Sequence, residues 1–212
     1  MNLLARAAYV ASAMTAFGIL AHRVLRGDTG ELDARVTRFL QKNDKRWFGT
    51  LMHAVSWPGF PPQSRVIPWL LPGAMLAVGR PFEALFQLLG WGTGVISAML
   101  KFLVNRPRPI LEDILVAPGR IGGSSFPSGH VIIYTGVYGF LAYLVHCHVK
   151  VKTVRRLIVS GLTGIIALVG PSRVYLGHHW FSDVLASYLL GTSYVAILAT
   201  IYQHLLRRRR RE

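Results

Sequence analysis

Long apolar segments alternate with short polar segments along most of the 212-residue chain. Most of them approach or reach the length that a helix needs to cross a bilayer, but the second is short and contains Pro68 and Pro72. This pattern predicts an all-α, polytopic membrane protein with six transmembrane helices, the second of them kinked. The apolar segments cover residues 3–21, 66–79, 82–104, 131–146, 157–176 and 184–206.

The first apolar segment has a second interpretation. Small residues such as Ala11 and Ala13 follow a short basic start, as they would in a signal peptide. The segment continues through Phe17, Ile19 and Leu20 without a clear cleavage site. We therefore expect an uncleaved transmembrane helix.

The polar segment 22–65 contains a helical pattern, because Leu32, Phe39 and Leu40 recur at helical spacing with charged residues between them. We expect an amphipathic helix near residues 29–48 that lies on the bilayer surface. An ordinary helix in a soluble loop fits the pattern nearly as well.

The composition supports a membrane protein, because 52% of the residues are hydrophobic, only 16% are charged, and the charges are clustered. The formal net charge of +15 would suit a nucleic-acid-binding protein. However, the basic residues flank apolar segments and no nucleic-acid-binding motif is present, so nucleic acid is excluded as a partner. The arginine run at 207–211 is interpreted as a cytoplasmic anchor against anionic lipid.

Six spans would place both termini on the same side of the membrane. The short basic loop 147–156 and the arginine run are expected in the cytoplasm by the positive-inside rule. The polar loops 105–126 and 171–182 then lie together on the extracytoplasmic face. These loops and the span ends beside them hold the residues with candidate chemistry.

Several basic side chains lie at these span ends, namely Lys101, Arg106, Arg108 and Arg173. Charges at a membrane boundary are costly unless they are paired or functional. A single lysine near a helix end is explained by snorkelling to water, but several cations on one face are not. Guanidinium groups match phosphate oxygens in a bidentate fork, and lysine supplies a point charge. The group therefore predicts a phosphate-binding site.

The segment Pro127-Ser128-Gly129-His130 precedes an apolar segment, so Ser128 is a candidate helix N-cap. Free backbone N–H groups and the helix dipole favour an anion at such a position. Gly129 would let the backbone approach a phosphate closely. Taken alone, the segment is equally compatible with a capping serine followed by an incidental histidine.

His179 and Asp183 are four residues apart, so on a helix they would share one face. An aspartate that accepts a hydrogen bond from one imidazole nitrogen orients the other nitrogen for nucleophilic attack. His130 is a candidate for protonating the leaving oxygen. A structural histidine–aspartate pair would be the simpler interpretation of this pair alone. The neighbouring cations and the second histidine favour catalysis.

No metal ion or other cofactor is expected at this site. Asp183 is assigned to His179, and Glu112 and Asp113 are isolated, so no carboxylate cluster would hold Mg²⁺. The single cysteine, Cys147, excludes an intrachain disulfide and a cysteine-based metal site. The cations would neutralise the phosphate charge that a metal neutralises elsewhere.

Three motifs together resemble, in order and in spacing, the signature of the type 2 phosphatidic acid phosphatase (PAP2) superfamily. They are Lys101-x6-Arg108-Pro109, Pro127-Ser128-Gly129-His130 and Ser172-Arg173-x5-His179-x3-Asp183. The resemblance implies a single membrane phosphatase domain over residues 1–212, with six helices, a phosphohistidine intermediate and no metal.

By matching position, the resemblance implies that His179 is the nucleophile, Asp183 its partner and His130 the general acid. Arg106 and His178 fall outside the matched pattern. Arg106 is a candidate electrostatic helper, and on a helix His178 would point about 100° away from His179. The implied phosphate-binding residues are Lys101, Arg108, Ser128, Gly129 and Arg173.

A site at the outer membrane–water boundary suits a substrate with its head group in water and its tail in lipid. The resemblance implies a lipid phosphate such as undecaprenyl pyrophosphate, phosphatidate, phosphatidylglycerophosphate or a sphingoid phosphate. The small size resembles bacterial members, which implies a bacterial inner membrane. Among these lipids the resemblance favours undecaprenyl pyrophosphate, because recycling of that lipid needs an outward-facing phosphatase.

Two other functions stay open. Vanadium-dependent haloperoxidases of the same superfamily share the anion pocket, but they are typically soluble, so the apolar spans count against them. A non-catalytic lipid-binding or transport protein would also hold a phosphate. Such a protein would have no need for the full set of His130, His179 and Asp183.

Overall fold

A computed structural model describes residues 3–110, 112–118, 122–209 and 211, and within these ranges the chain forms helices and loops without a β-strand. The polar loop 105–126 and the arginine run each include residues outside these ranges. The α-helices are α1 (Leu3–Arg26), α2 (Gly30–Gln41), α3 (Arg46–Ser56), α4 (Gln63–Ala77), α5 (Pro81–Leu89), α6 (Gly92–Val104), α7 (Gly129–His148), α8 (Lys152–Tyr175) and α9 (Phe181–Arg209).

The helical content and the long apolar helices confirm an all-α membrane protein. Five stretches of the described chain are long and apolar enough to cross a membrane: α1, α5 with α6, α7, α8 and α9. The predicted second span corresponds to α4, which has 15 residues and contains Pro68 and Pro72. At about 1.5 Å per residue this helix is shorter than the hydrocarbon core, so the predicted count of six is not confirmed.

Helices α7 and α9 form the centre of the bundle. Helix α7 packs against both α8 and α9, and α1 lies along α9. One core cluster joins α3, α7, α8 and α9 through residues such as Val55, Val131 and Val184. A second cluster at the other end of α7 joins α5 and α9 around Phe140 and Tyr202. The candidate site lies at the end of the bundle that holds the first cluster.

The region 22–65 differs from its prediction, because two helices, α2 and α3, occupy it in place of one interfacial helix near 29–48. Leu32 and Phe39 are exposed, as an interfacial helix requires. The opposite face of α2 is buried and includes the carboxylate of Asp33, which is 0% exposed. Helix α2 packs on α8 and α9, and its buried face belongs to the protein core.

The predicted span 82–104 is divided into α5 and α6 at Gly90 and Trp91. A Cβ at Gly90 would lie 3.1 Å from the carbonyl oxygen of Gly136 on α7. A Cβ at Gly136 would overlap Thr93 and the Gly90 carbonyl. The two glycines therefore let the backbones of the divided span and α7 meet, as small residues do between membrane helices.

We expect Gly136→Ala to destabilise the protein by about 1–3 kcal/mol, because the added methyl group has no space between α6 and α7. Gly164→Ala is the matched control, since a Cβ at Gly164 meets nothing within 4 Å. Thermal unfolding of both variants in detergent checks the prediction. Equal melting temperatures for the two variants would contradict it.

Candidate active site

Four helix ends meet at one end of the bundle and surround a cavity of about 530 Å³. They are the C-terminal ends of α6 and α8 and the N-terminal ends of α7 and α9. The cavity brings together most of the residues singled out in the sequence, although these are distributed over about 80 positions of the chain. The lining includes Lys101, Arg108, Gly129, His130, Arg173 and His179.

Helix α6 ends at Val104, and its C-cap residue Asn105 adopts a left-handed conformation with φ of 41°. Asparagine tolerates this conformation better than most residues other than glycine. The turn directs Arg106 and Arg108 back over the end of the bundle. Two hydrogen bonds join this stretch to the segment before α7: the Ser125 amide donates to the Arg106 carbonyl, and the Ser125 hydroxyl donates to the Pro107 carbonyl.

Helix α8 ends in a Schellman motif centred on Gly177, which has φ of +67°. The amide of Gly177 donates to the carbonyl of Val174, and the amide of His178 donates to the carbonyl of Arg173. Glycine is favoured at this position because it adopts positive φ without steric cost. A Cβ at Gly177 would also collide with the carbonyl of Leu115. The motif sets the direction in which His178 and His179 leave the helix.

Because α9 begins only at Phe181, the prediction that His179 and Asp183 share a helical face is wrong. His179 lies in the short connection before α9, and Asp183 lies in the first turn of the helix. The Asp183 Oδ2 atom accepts a hydrogen bond of 2.9 Å from the Trp180 amide, as in a capping box. The capping bond and the Schellman motif bring the two residues together.

The nearest partner of the His179 Nδ1 atom is the Ser125 carbonyl oxygen, at 2.7 Å. Asp183 Oδ2 lies 3.6 Å from the same nitrogen, which is beyond hydrogen-bond distance. A carbonyl oxygen only accepts, so this contact requires the proton to be on Nδ1. The Nε2 atom then carries the lone pair, and it lies 3.4 Å from Arg108 Nη1.

Ser128 occupies the N-cap position of α7, as expected, but its side chain makes no capping hydrogen bond. Its backbone N–H donates to the Ser187 hydroxyl at 2.8 Å. Its own hydroxyl is buried and has no hydrogen-bond partner among the described residues. This hydroxyl and the first N–H groups of α7, which have no partner within the helix, are available to an anion.

Lys101 and Arg108 are held by carbonyl oxygens. Lys101 Nζ donates to the carbonyl of Ser124 at 2.7 Å. Arg108 Nη1 donates to the carbonyl of His178 at 2.6 Å, and its Nη2 donates to that of Gly122. Carbonyl oxygens orient a cation but leave its charge unneutralised, so both side chains keep a positive field in the cavity.

The guanidinium of Arg173 is 1% exposed and is fixed from three directions. It donates to the Ser56 hydroxyl and to His178 Nδ1, and it lies 5.0 Å from the ring centre of Phe60. The sequence pattern left His178 outside the site. The structure places His178 against Arg173, with its Nε2 atom 3.0 Å from the Ala117 carbonyl.

His130 lies in the first turn of α7, and its buried Nε2 atom has no hydrogen-bond partner among the described residues. Its ring stands edge-on to Phe60 at 4.9 Å between centroids. A Cβ at Gly59 would overlap the imidazole. The loop after α3 therefore contacts the site, and no sequence motif predicts this contact.

The sequence analysis grouped Arg106 with the phosphate-binding cations as an electrostatic helper, but the structure pairs it with carboxylates away from the cavity lining, and Asp33 was missed. Arg106 donates to the carboxylate of Asp183 at 2.5 Å and to that of Asp33 at 2.7 Å. A signal for Asp33 was present, since it shares a helical face with Val36 and Leu40, three and seven residues later. A carboxylate on an apolar helix face needs a buried partner.

The electrostatic environment favours neutral histidines in the connection between α8 and α9. Burial, and then the charge of Arg173, lower the pKa of His178 to about 4. The same two causes hold the pKa of His179 well below its ordinary value. Burial also lowers the pKa of Arg108. A neutral imidazole is the form that can attack phosphorus.

We expect acid to destabilise the protein partly through His178. The unfolded histidine takes up a proton near pH 6.5 and the folded one only near pH 4, so stability falls as pH decreases through this window. The melting temperature should therefore fall less from pH 7 to pH 5 in His178→Asn than in the unsubstituted chain. His22→Asn, at an exposed position, is the control. If the melting temperature of His178→Asn fell with pH as steeply as that of the unsubstituted chain, the prediction would be contradicted.

A family model of the PAP2 superfamily matches residues 84–207. The chain is 28% identical to phosphatidylglycerophosphatase B of Bacillus subtilis (strain 168) over 179 residues, which is 82% of this chain and 85% of that protein.

Two solved structures share the fold. One is the transmembrane PAP2-type phosphatidylglycerolphosphate phosphatase from Bacillus subtilis, with a TM-score of 0.81 and 24% identity over 92% of this chain and 96% of that one. The other is Aquifex aeolicus LpxE, with a TM-score of 0.62 and 22% identity over 82% of this chain and 95% of that one. The family-model match includes the cavity cations and both histidines and excludes α2.

Proposed function

The chain belongs to the PAP2 superfamily and is a membrane phosphatase, and we propose that it hydrolyses a lipid phosphate or pyrophosphate at the extracytoplasmic face through a phosphohistidine intermediate. The observation that carries this proposal is the group of donors around one cavity. Lys101, Arg108 and Arg173 lie around it, and within the described ranges no acidic side chain pairs directly with any of them.

Unused hydrogen-bonding atoms support an anionic substrate. Buried polar atoms in proteins are nearly always hydrogen-bonded, so unpaired ones that converge on a cavity point to a ligand. Among the described residues, the Arg108 Nε, Arg173 Nε, Ser128 Oγ and His130 Nε2 atoms have no protein partner. The two arginine Nε atoms and Ser128 Oγ suit phosphate oxygens, and His130 Nε2 suits a leaving-group oxygen.

The proposed first step is attack by the Nε2 atom of His179 on phosphorus. The N–P bond forms as the P–O bond to the lipid alcohol or phosphate breaks, and His130 gives its proton to the leaving oxygen. The Nδ1–H of His179 stays on the Ser125 carbonyl, 2.7 Å away, which holds the ring in the reactive tautomer. Asp183, 3.6 Å from Nδ1, stabilises the cationic ring that forms.

The proposed second step returns the enzyme to its starting form. A water molecule gives a proton to His130 and attacks phosphorus, and the N–P bond breaks to release inorganic phosphate. In both steps the negative charge on the equatorial oxygens is stabilised by Lys101, Arg108, Arg173 and the α7 N-terminus with Ser128 and Gly129.

A second cavity supports a lipid as the substrate. It has a volume of about 270 Å³ and lies between α4 and α7, where Ile67, Ile133 and other apolar side chains line it. Gly59, Gly129 and His130 line this cavity and the cation-lined cavity together. An acyl or prenyl chain beside the phosphate would fill the apolar cavity.

Undecaprenyl pyrophosphate is our leading candidate for the substrate, because a phosphatase that faces outward suits the recycling of that lipid. Phosphatidylglycerophosphate is the alternative that the similar Bacillus subtilis protein favours, and phosphatidate is a third. Phosphate release from a panel of these three purified lipids tests the choice. No release from any of them, with water-soluble phosphates hydrolysed readily, would overturn the lipid assignment.

The proposed orientation in the membrane follows from the basic loop and the position of the cavity. We place one catalytic domain over residues 1–212 in a bacterial inner membrane, with α4 as a short, proline-bent sixth span and both termini in the cytoplasm. The basic loop 147–156 supports this orientation by the positive-inside rule. The cavity is at the opposite ends of α7 and α8 from that loop, which agrees with an extracytoplasmic site.

We expect His179→Ala to abolish phosphate release while the protein still inserts and folds, because the substitution removes the attacking nitrogen. His146→Ala, at an exposed position at the far end of α7, is the matched control and should retain activity. Lipid phosphate hydrolysis and melting temperature are measured for both. Turnover by folded His179→Ala would contradict the phosphohistidine mechanism.

We expect hydrolysis to continue in excess EDTA, because the donors around the phosphate are cations and a helix end. Among the described residues, no group of three His, Cys, Asp or Glu side chains is arranged to hold a metal ion. Activity is measured before and after chelation, with and without added Mg²⁺. A strict Mg²⁺ requirement would contradict the proposal.

A further inference from the structure

We propose that Arg106 and Asp33 form a clamp that positions the carboxylate of Asp183 against His179. The clamp is a deepening of the proposed function and rests on it. It assigns a role in the reaction to α2, which lies outside the matched residues 84–207. Arg106 and Asp33 act through Asp183, so they are positioning residues and not catalytic residues.

The clamp is a continuous set of short contacts. Arg106 Nη1 donates to Asp183 Oδ1 at 2.5 Å, and Arg106 Nη2 donates to Asp33 Oδ2 at 2.7 Å. Asp33 also accepts from the Ser182 amide at 2.8 Å and from the Ser182 hydroxyl at 2.7 Å. Arg106 also donates from Nη1 to the Ser182 hydroxyl at 2.7 Å and from Nη2 to the Thr29 hydroxyl at 2.9 Å. Asp183 is thus held both directly and through its chain neighbour.

Burial makes these contacts strong. The side chains of Asp33 and Asp183 are 0% exposed, and that of Arg106 is 11% exposed. Charge-assisted hydrogen bonds are stronger than neutral ones, and a buried ion left without its partner is strongly unfavourable. Two carboxylates around one guanidinium leave one net negative charge in the cluster, and that charge lies beside the imidazole.

The two carboxylate oxygens of Asp183 have different partners. Oδ1 is occupied by Arg106, so it cannot turn toward the ring. Oδ2 accepts from the Trp180 amide and stays 3.6 Å from His179 Nδ1. Without Arg106, the carboxylate would keep the Trp180 contact at Oδ2 but lose the contact that holds Oδ1. Without the charge of Asp33, Arg106 would neutralise Asp183 more completely and weaken the stabilisation of a cationic ring.

A second ion pair between α2 and the loop after α6 provides a matched control. Arg38 donates to Asp113 at 2.6 Å, but both side chains are about half exposed. This pair links the same two segments as the clamp does, and it makes no contact with Asp183. An exposed pair contributes little to stability, so Arg38→Ala tests whether tethering alone matters.

The test compares Asp33→Asn, Arg106→Gln and Arg38→Ala in phosphate release from the lipid panel. We expect Asp33→Asn and Arg106→Gln to lower kcat by about 10–100-fold, taking as a guide the loss seen when the hydrogen-bonded partners of metal-ligating residues are removed. KM should change little, because the clamp does not touch the phosphate-binding cations. Arg38→Ala should match the unsubstituted chain. Melting temperatures in detergent identify any variant that fails to fold.

A double-variant cycle separates positioning from a structural role. If Arg106 acts through Asp183, adding Arg106→Gln to Asp183→Asn should cause no further loss of kcat, measured with p-nitrophenyl phosphate as a reactive substrate. Multiplying losses would overturn the clamp. So would folded Asp33→Asn with a kcat within about twofold of the unsubstituted chain, since the ranges above begin at about tenfold.

The remaining outcomes are also decisive. If Arg106→Gln does not fold, Asp33→Asn decides the question, since it has nearly the same shape as the original residue. If neither variant folds, the cluster is a stability element and the clamp is wrong. If the unsubstituted chain and His179→Ala both release no phosphate, the proposed function fails, and that result is distinct from failure of the clamp alone.

Discussion

Burial of several like charges at one end of a helix bundle is the constraint on which this structure depends. Lys101, Arg108 and Arg173 line one cavity with no carboxylate of the described part of the chain in direct contact, and their mutual repulsion opposes folding. Carbonyl oxygens, the Ser56 hydroxyl and a neutral His178 fix these cations in place instead. The fold thereby keeps a positive field that a phosphate can neutralise. Such a site gives up some stability in return for charge stabilisation of the reaction.

Local backbone geometry at the helix ends positions the residues of the site. The left-handed residue Asn105 ends α6 and Gly177 ends α8, and each turns the following charged or histidine residues over the bundle end. The capping bond from the Trp180 amide to Asp183 then fixes the first turn of α9. Helix ends are suited to this task because their free N–H and C=O groups must find partners in any case.

The membrane and the site are connected through packing. The glycine contact between Gly90 and Gly136 brings the divided span close to α7, and the apolar cavity between α4 and α7 shares His130 in its lining with the cation-lined cavity. Helix α2 contacts Arg106 and Ser182 through the buried carboxylate of Asp33, so the region before the matched family segment is packed against residues beside the site.

The sequence by itself determined the all-α membrane class, the family and the cations and histidines that line the cavity, because hydropathy and motif spacing are properties of the chain alone. It could not determine that His179 lies outside α9, that the Ser125 carbonyl selects its tautomer, or that α2 contributes Asp33. Those features depend on contacts between segments as many as 149 positions apart. Only the tertiary structure decides them, because the partner that makes a buried charge tolerable is chosen by packing and not by sequence distance.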